Sequence, residues 1–192
     1  VSIGDKLDGS YYNIVINDAE DSLGNILFGN SVNTGSLTVS KGVLENNGVV
    51  TVTSGTNNGT ITYDSTLGLK GDFILDDGGA SLVFNNNGSF TQNSLTIKSG
   101  EFKTDSSNLH ISSDIVNDGT LVFNNTTNGS INQNIKGSTP TSNGIVEIAA
   151  SDKVTVDLNG YTITDNDVKL TSGILDVTKN TDNDGNIDIS SM

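Results

Sequence analysis

Apolar residues along this chain fall into short alternating runs. Val49-Val-Thr-Val52, Thr60-Ile-Thr-Tyr63, Phe73-Ile-Leu75, Ile145-Val-Glu-Ile148, Val154-Thr-Val-Asp157 and Tyr161-Thr-Ile-Thr164 each span three or four residues and are rich in β-branched side chains. Turn-forming Asn-Gly, Asp-Gly and Ser-Gly pairs punctuate them. No stretch of a dozen residues keeps a helical period, because Gly and Asn recur too often. The single proline, Pro140, leaves almost every strand free to pair on both edges. The pattern predicts an all-β chain.

The runs repeat. Leu82-Val-Phe-Asn-Asn-Asn-Gly-Ser-Phe-Thr-Gln-Asn93 matches Leu121-Val-Phe-Asn-Asn-Thr-Thr-Asn-Gly-Ser-Ile-Asn-Gln-Asn134, with two extra residues in the Asn/Thr turn. A looser unit appears as Ser36–Glu45, Ser94–Lys103 and Asp167–Asp176, each a strand, a glycine (Gly42, Gly100, Gly173) and a second strand. Length variation confined to turns is what a stack of similar coils tolerates. The many Asn-Gly pairs also make antiparallel hairpins a rival reading. Strands this short make poor freestanding hairpins, and a sandwich core would call for more aromatics. The expected fold is therefore a right-handed parallel β-helix, a β-solenoid with degenerate coils of about 20 residues. Residues 31–192 form its repetitive coils, and residues 1–30, with Tyr11-Tyr12 and the acidic Asp18–Asp21, form a cap or an irregular coil.

Composition sharpens this. Hydrophobic residues make up 33% of the chain and aromatic ones 5%, too few for a compact ball but enough to line a narrow column. Without cysteine there are neither disulfides nor thiolate metal sites. The net charge is −14, and all nine basic residues are lysine. Such a surface does not attract nucleic acid or anionic lipid. The chain opens at Val1 without an initiator Met, signal peptide or transmembrane run, which predicts an excised or mature segment with no direct membrane insertion.

Gly35-Ser-Leu-Thr-Val-Ser-Lys-Gly42, Asn93-Ser-Leu-Thr-Ile-Lys-Ser-Gly100 and Asp118-Gly-Thr-Leu-Val-Phe-Asn-Asn125 resemble passenger domains of Gram-negative autotransporters, rickettsial surface antigens among them. The likeness runs from about Gly35 to Asp176. It implies a secreted β-helix at the bacterial cell surface, acting as a non-enzymatic adhesin or stalk. Its partners would be a host-cell receptor, a glycan, sister molecules or neighbouring coils of a longer chain. No catalytic residue is carried over from the family.

Three groups of residues invite chemistry. Asn180, Asp182, Asp184 and Asp188, around Gly185, offer oxygen ligands at partly alternate spacing and form a weak calcium candidate; the closing Glu of such a loop is absent, with Ser191 at that spacing. Asp76-Asp77 beside Gly78-Gly79 is the best paired-carboxylate candidate for glycan hydrolysis, though a polar turn explains it as well. His110, the one histidine, alternates with apolar neighbours in Leu109-His-Ile111 and is expected to point outward, with no second imidazole or thiol to share a transition metal. Two alternatives stand beside the adhesin: a self-assembling surface-layer or matrix component, and a β-helix polysaccharide lyase or hydrolase. Fold alone does not choose among them.

Overall fold

The computed structural model describes residues 9–17, 26–28, 31–64, 66 and 70–177. Its architecture is the parallel β-solenoid that the sequence predicts, with about 7 turns of ~22 residues. Every strand pairing among the described residues is parallel and joins one coil to the next.

Each coil has three walls. Strands β1 (Gly9–Asn17), β3 (Val32–Lys41) and β5 (Val49–Asn57) are long enough to serve the first two walls without a break. From β5 onward the sheet divides. The first half of β5 pairs with β7 (Asp72–Leu75), and its second half pairs with β8 (Val83–Asn86). The first wall then continues through β10 (Ser94–Ile97), β13 (Ile115–Asn117), β16 (Ile135–Lys136) and β19 (Ile163–Thr164). The second wall continues through β11 (Glu101–Thr104), β14 (Thr120–Phe123), β17 (Gly144–Ala149) and β20 (Asn166–Ser172). The third wall has two parts. One is β2 (Ile26–Phe28), β4 (Val43–Asn46), β6 (Thr60–Thr62), β9 (Ser89–Gln92) and β12 (Leu109–Ile111); the other is β15 (Gly129–Ser130), β18 (Thr155–Asp157) and β21 (Ile174–Asp176). The described part of residues 1–30 continues this stack, with β1 lying along β3 and β2 along β4.

Alternation along each strand sends every second side chain inward, so parallel pairing piles like positions on one another. On the first wall Val32, Val50, Phe73 and Leu95 form one column. On the third wall Leu44, Ile61, Phe90 and Leu109 form another. All eight are fully buried. The six phenylalanines of the chain, Phe28, Phe73, Phe84, Phe90, Phe102 and Phe123, all lie inside. A single coil contributes one from each wall: Phe73, Phe84 and Phe90.

Corners are built from Asn-Asx-Gly. The first asparagine of Asn46-Asn47-Gly48, Asn57-Asn58-Gly59, Asn86-Asn87-Gly88 and Asn117-Asp118-Gly119 is buried. Asn46 Oδ1 accepts the N–H of Gly48, and Asn57 Oδ1 that of Gly59, each at 3.1 Å. These side chains thus close the local turn and turn inward. Their amides then bond across coils. Asn57 Nδ2 donates to Asn86 Oδ1 at 2.8 Å, and Asn86 Nδ2 donates to Thr104 Oγ1 at 3.0 Å. A second kind of corner uses a lone left-handed glycine: Gly42, Gly100 and Gly173 have φ of 88°, 82° and 88°.

Candidate functional site

The corner between the first and second walls differs from coil to coil. Coils carrying β10 and β13 turn it within residues 98–100 and 118–119. The coil before them uses residues 76–82 and the coil after them residues 137–143. Two long loops thus bracket two tight corners. Between them lies an open polar groove of about 350 Å³, lined by Ser81, Ser99, Gly100, Glu101, Asp118, Gly119, Thr120 and Asn143.

Aspartates hold both banks. Asp77 accepts the backbone N–H groups of Gly79 and Leu82, each at 2.7 Å, so its carboxylate ties the 76–82 loop together. Burial pushes its acidity down, but hydrogen bonds with Ser99, Leu82, Gly79 and Ala80 outweigh that and hold its pKa below the ordinary aspartate value. Asp118 clamps the other bank. Its Oδ1 accepts the Ser138 N–H at 2.8 Å and the Ser142 hydroxyl at 2.7 Å. Here too burial raises the pKa and the bonds from Ser138 and Ser142 more than reverse it.

This geometry defines what the Asp76-Asp77 pair does. Asp76 faces Lys98, with 3.3 Å between Oδ2 and Nζ. Asp77 spends both oxygens on backbone donors. The lowered pKa leaves Asp77 ionised at neutral pH. Both carboxylates lie in the turn, Asp76 toward Lys98 and Asp77 on the loop's own backbone. His110 points outward from the middle of β12, between buried Leu109 and Ile111. Asn180, Asp182, Asp184 and Asp188 lie outside the described residues. Among the described residues no three His, Asp or Glu side chains gather into a group able to hold a metal ion.

The groove itself was not visible in the sequence. Pro140 and its flanking glycines mark a loop, but Asp118 meets that loop across one coil, 20 to 24 residues away. Only the stacking register brings them together.

No family model, curated protein or solved structure matches this chain.

The clamps give a pH prediction. The folded pKa of Asp118 is depressed, so its contribution is complete above the unfolded value of about 3.9 and is lost as pH falls through the lower folded value. Asp118→Asn is expected to cost about 1 kcal/mol at pH 7, since the amide keeps one weaker acceptor. The gap between variant and wild type should shrink as pH drops below about 4. Urea unfolding of both proteins at pH 7 and pH 3 checks this; a gap that widens toward pH 3 contradicts it.

Proposed function

We propose that this chain is a rod segment of a secreted bacterial surface protein of the autotransporter-passenger kind, and that it serves as a non-enzymatic adhesin. The observation that carries this reading is the groove at one corner, walled by two loops that the rest of the stack does not need. The column's interior is filled by aliphatic side chains, phenylalanines and the inward asparagines, so recognition falls to loops on its outside. Seven coils at ~4.8 Å each extend roughly 35 Å, a stiff spacer that carries such loops away from a cell.

Serine and threonine hydroxyls, an asparagine amide and two carboxylates line the groove, which suits a neutral, hydroxyl-rich partner such as a host glycan or a polar protein loop. An anionic partner is disfavoured by Glu101, Asp118 and the chain's overall charge of −14.

Attachment is the test. Replacing residues 137–143 with a two-residue Asp-Gly corner, as found at 118–119, removes one bank and keeps the stack. Cells displaying the parent protein with this change should attach several-fold less well to host cells or to each other, while circular dichroism of the purified chain stays unchanged. Undiminished attachment after deletion of the whole 31–177 region would sink the adhesin reading.

A further inference from the structure

The sequence holds six Asn-Gly pairs, at Asn47, Asn58, Asn87, Asn128, Asn143 and Asn159. Asparagine before glycine is prone to lose its amide, because the glycine nitrogen, unscreened by a side chain, can attack the asparagine Cγ. Five of these asparagines are held by their side chains. Asn47 Nδ2 donates to Glu45, and its Oδ1 accepts the Asp64 N–H. Asn87 Nδ2 donates to Asn58 Oδ1, Asn128 Oδ1 accepts the Thr155 N–H, and Asn159 Nδ2 donates to Asn132 Oδ1. Asn143 lines the groove and is exposed. Among the described residues it alone of the six has a side-chain amide with no hydrogen-bond partner.

The nitrogen beside it is also set differently. The Gly48 and Gly59 N–H groups donate to the neutral amide oxygens of Asn46 and Asn57, and that of Gly88 to the Asn57 carbonyl. The Gly144 N–H instead donates to Ser142 Oγ at 3.2 Å, and the Ser142 hydroxyl donates to Asp118 Oδ1 at 2.7 Å. Nitrogen, hydroxyl and carboxylate form a chain along which a proton can leave the nitrogen. Asp118 is ionised at neutral pH and can receive it. The stack itself requires glycine here, since a Cβ on residue 144 would stand 2.2 Å from the Asn117 carbonyl oxygen. The packing that seats β17 therefore also supplies the least hindered nucleophile.

We propose that Asn143-Gly144 is a self-modifying site, in which Ser142 and Asp118 draw off the Gly144 amide proton and the nitrogen attacks Asn143 Cγ. The N–Cγ bond forms, the Cγ–Nδ2 bond breaks, and Nδ2 leaves as ammonia with the proton returned along the relay. Water then opens the succinimide to aspartate or isoaspartate. Nothing is oxidised or reduced, and water is the sole co-reactant. The aspartate product adds a carboxylate to a groove already lined by Glu101 and Asp118, which turns it from a neutral partner toward a cation or a basic loop. That consequence rests on the groove's being a recognition site; the chemistry at Asn143 does not.

Incubating the full 192-residue chain, folded, in neutral heavy-oxygen water tests this, because the label marks only amides converted during the incubation. Trypsin then releases residues 137–153, in which Asn143 is the one asparagine. That peptide should gain label ahead of those carrying Asn58 and Asn87. It should lose its lead when the unaltered chain is incubated in urea, where the relay is gone. Ser142→Ala, with circular dichroism unchanged, should slow labelling about 10-fold relative to Asn58, less than the 10²–10⁴-fold of a well-matched base because Asp118 is a weak one. Loosening of the loop by the same substitution acts in the opposite direction, so the sign separates the two. No label at Asn143, a lead that persists in urea, or a folded Ser142→Ala variant that converts as fast as the parent or faster overturns the proposal.

Discussion

Phe73→Ala is expected to destabilise the column by about 4 kcal/mol, among the largest effects of any single truncation in this chain. Phe73 is fully buried, and its ring meets three others: Phe90 at 5.0 Å, Phe84 at 5.1 Å and Phe102 at 6.4 Å, all edge to face. Truncation removes the apolar area, leaves a void that three rigid walls resist closing, and forfeits the edge-to-face pairings, worth ~1 kcal/mol each. The coil it belongs to lies mid-stack. In a solenoid each coil is stabilised chiefly by its neighbours, so weakening one interface weakens the coupling between the two halves. Urea unfolding should therefore show both a lower midpoint and a broader or split transition. Tyr12→Ala, at a side chain 94% exposed, should shift nothing beyond about 0.5 kcal/mol. A loss under about 1 kcal/mol for Phe73→Ala would mean that the aromatic cluster does not knit the walls together.

That cluster also explains why a chain with so few aromatics folds. Six phenylalanines would be sparse in a sandwich, but here none is spent on the surface. The parallel solenoid was legible because sidedness survives errors of register. The repeat beginning at Leu82 and Leu121 aligns in sequence with a step of 39, yet the strands place Phe84 over Phe102 over Leu121, a step of 37. A slip of two keeps every inward residue inward, so the pattern remained readable although the match was offset. The wall assignment was not readable. Gly42 and Gly173 turn from the second wall to the third, whereas Gly100 turns from the first to the second. The same strand–glycine–strand phrase serves any corner, and only the coil beneath decides which.

The Asn-Gly pairs show the same limit. Locally they are a turn signal, and Asn57 and Asn86 do sit at turns. Whether the strand beyond a turn folds back as a hairpin or proceeds around a coil depends on what lies above and below. Here inward Asn side chains reach their counterparts across layers, a contact with no trace in the local sequence. The groove was hidden for a related reason: its residues come from four coils and share no motif.

The inward asparagines yield the other large effect. Asn57 is fully buried and makes three bonds: Nδ2 to Asn86 Oδ1 at 2.8 Å, Nδ2 to the Ser89 carbonyl at 3.0 Å, and Oδ1 from the Gly59 N–H at 3.1 Å. Asn57→Ala is expected to cost about 3 kcal/mol, because the buried Asn86 amide oxygen and two part-buried backbone groups lose their partner together. Asn57→Asp is nearly isosteric and should be worse at neutral pH. The introduced carboxylate still accepts from Gly59, but its second oxygen faces two acceptors, Asn86 Oδ1 and the Ser89 carbonyl. An uncompensated buried charge costs about 3–5 kcal/mol. The pH dependence identifies this cause. Burial among acceptors raises the folded pKa of the introduced carboxyl above its unfolded value, so the charge penalty is absent below about pH 4 and grows as pH rises toward the folded value. At acid pH the protonated acid donates to Asn86 or Ser89, and Asn57→Asp should become more stable than Asn57→Ala. Urea midpoints of the two variants should therefore cross between about pH 7 and pH 3. Parallel curves would show that the ladder at Asn57 and Asn86 acts through packing alone.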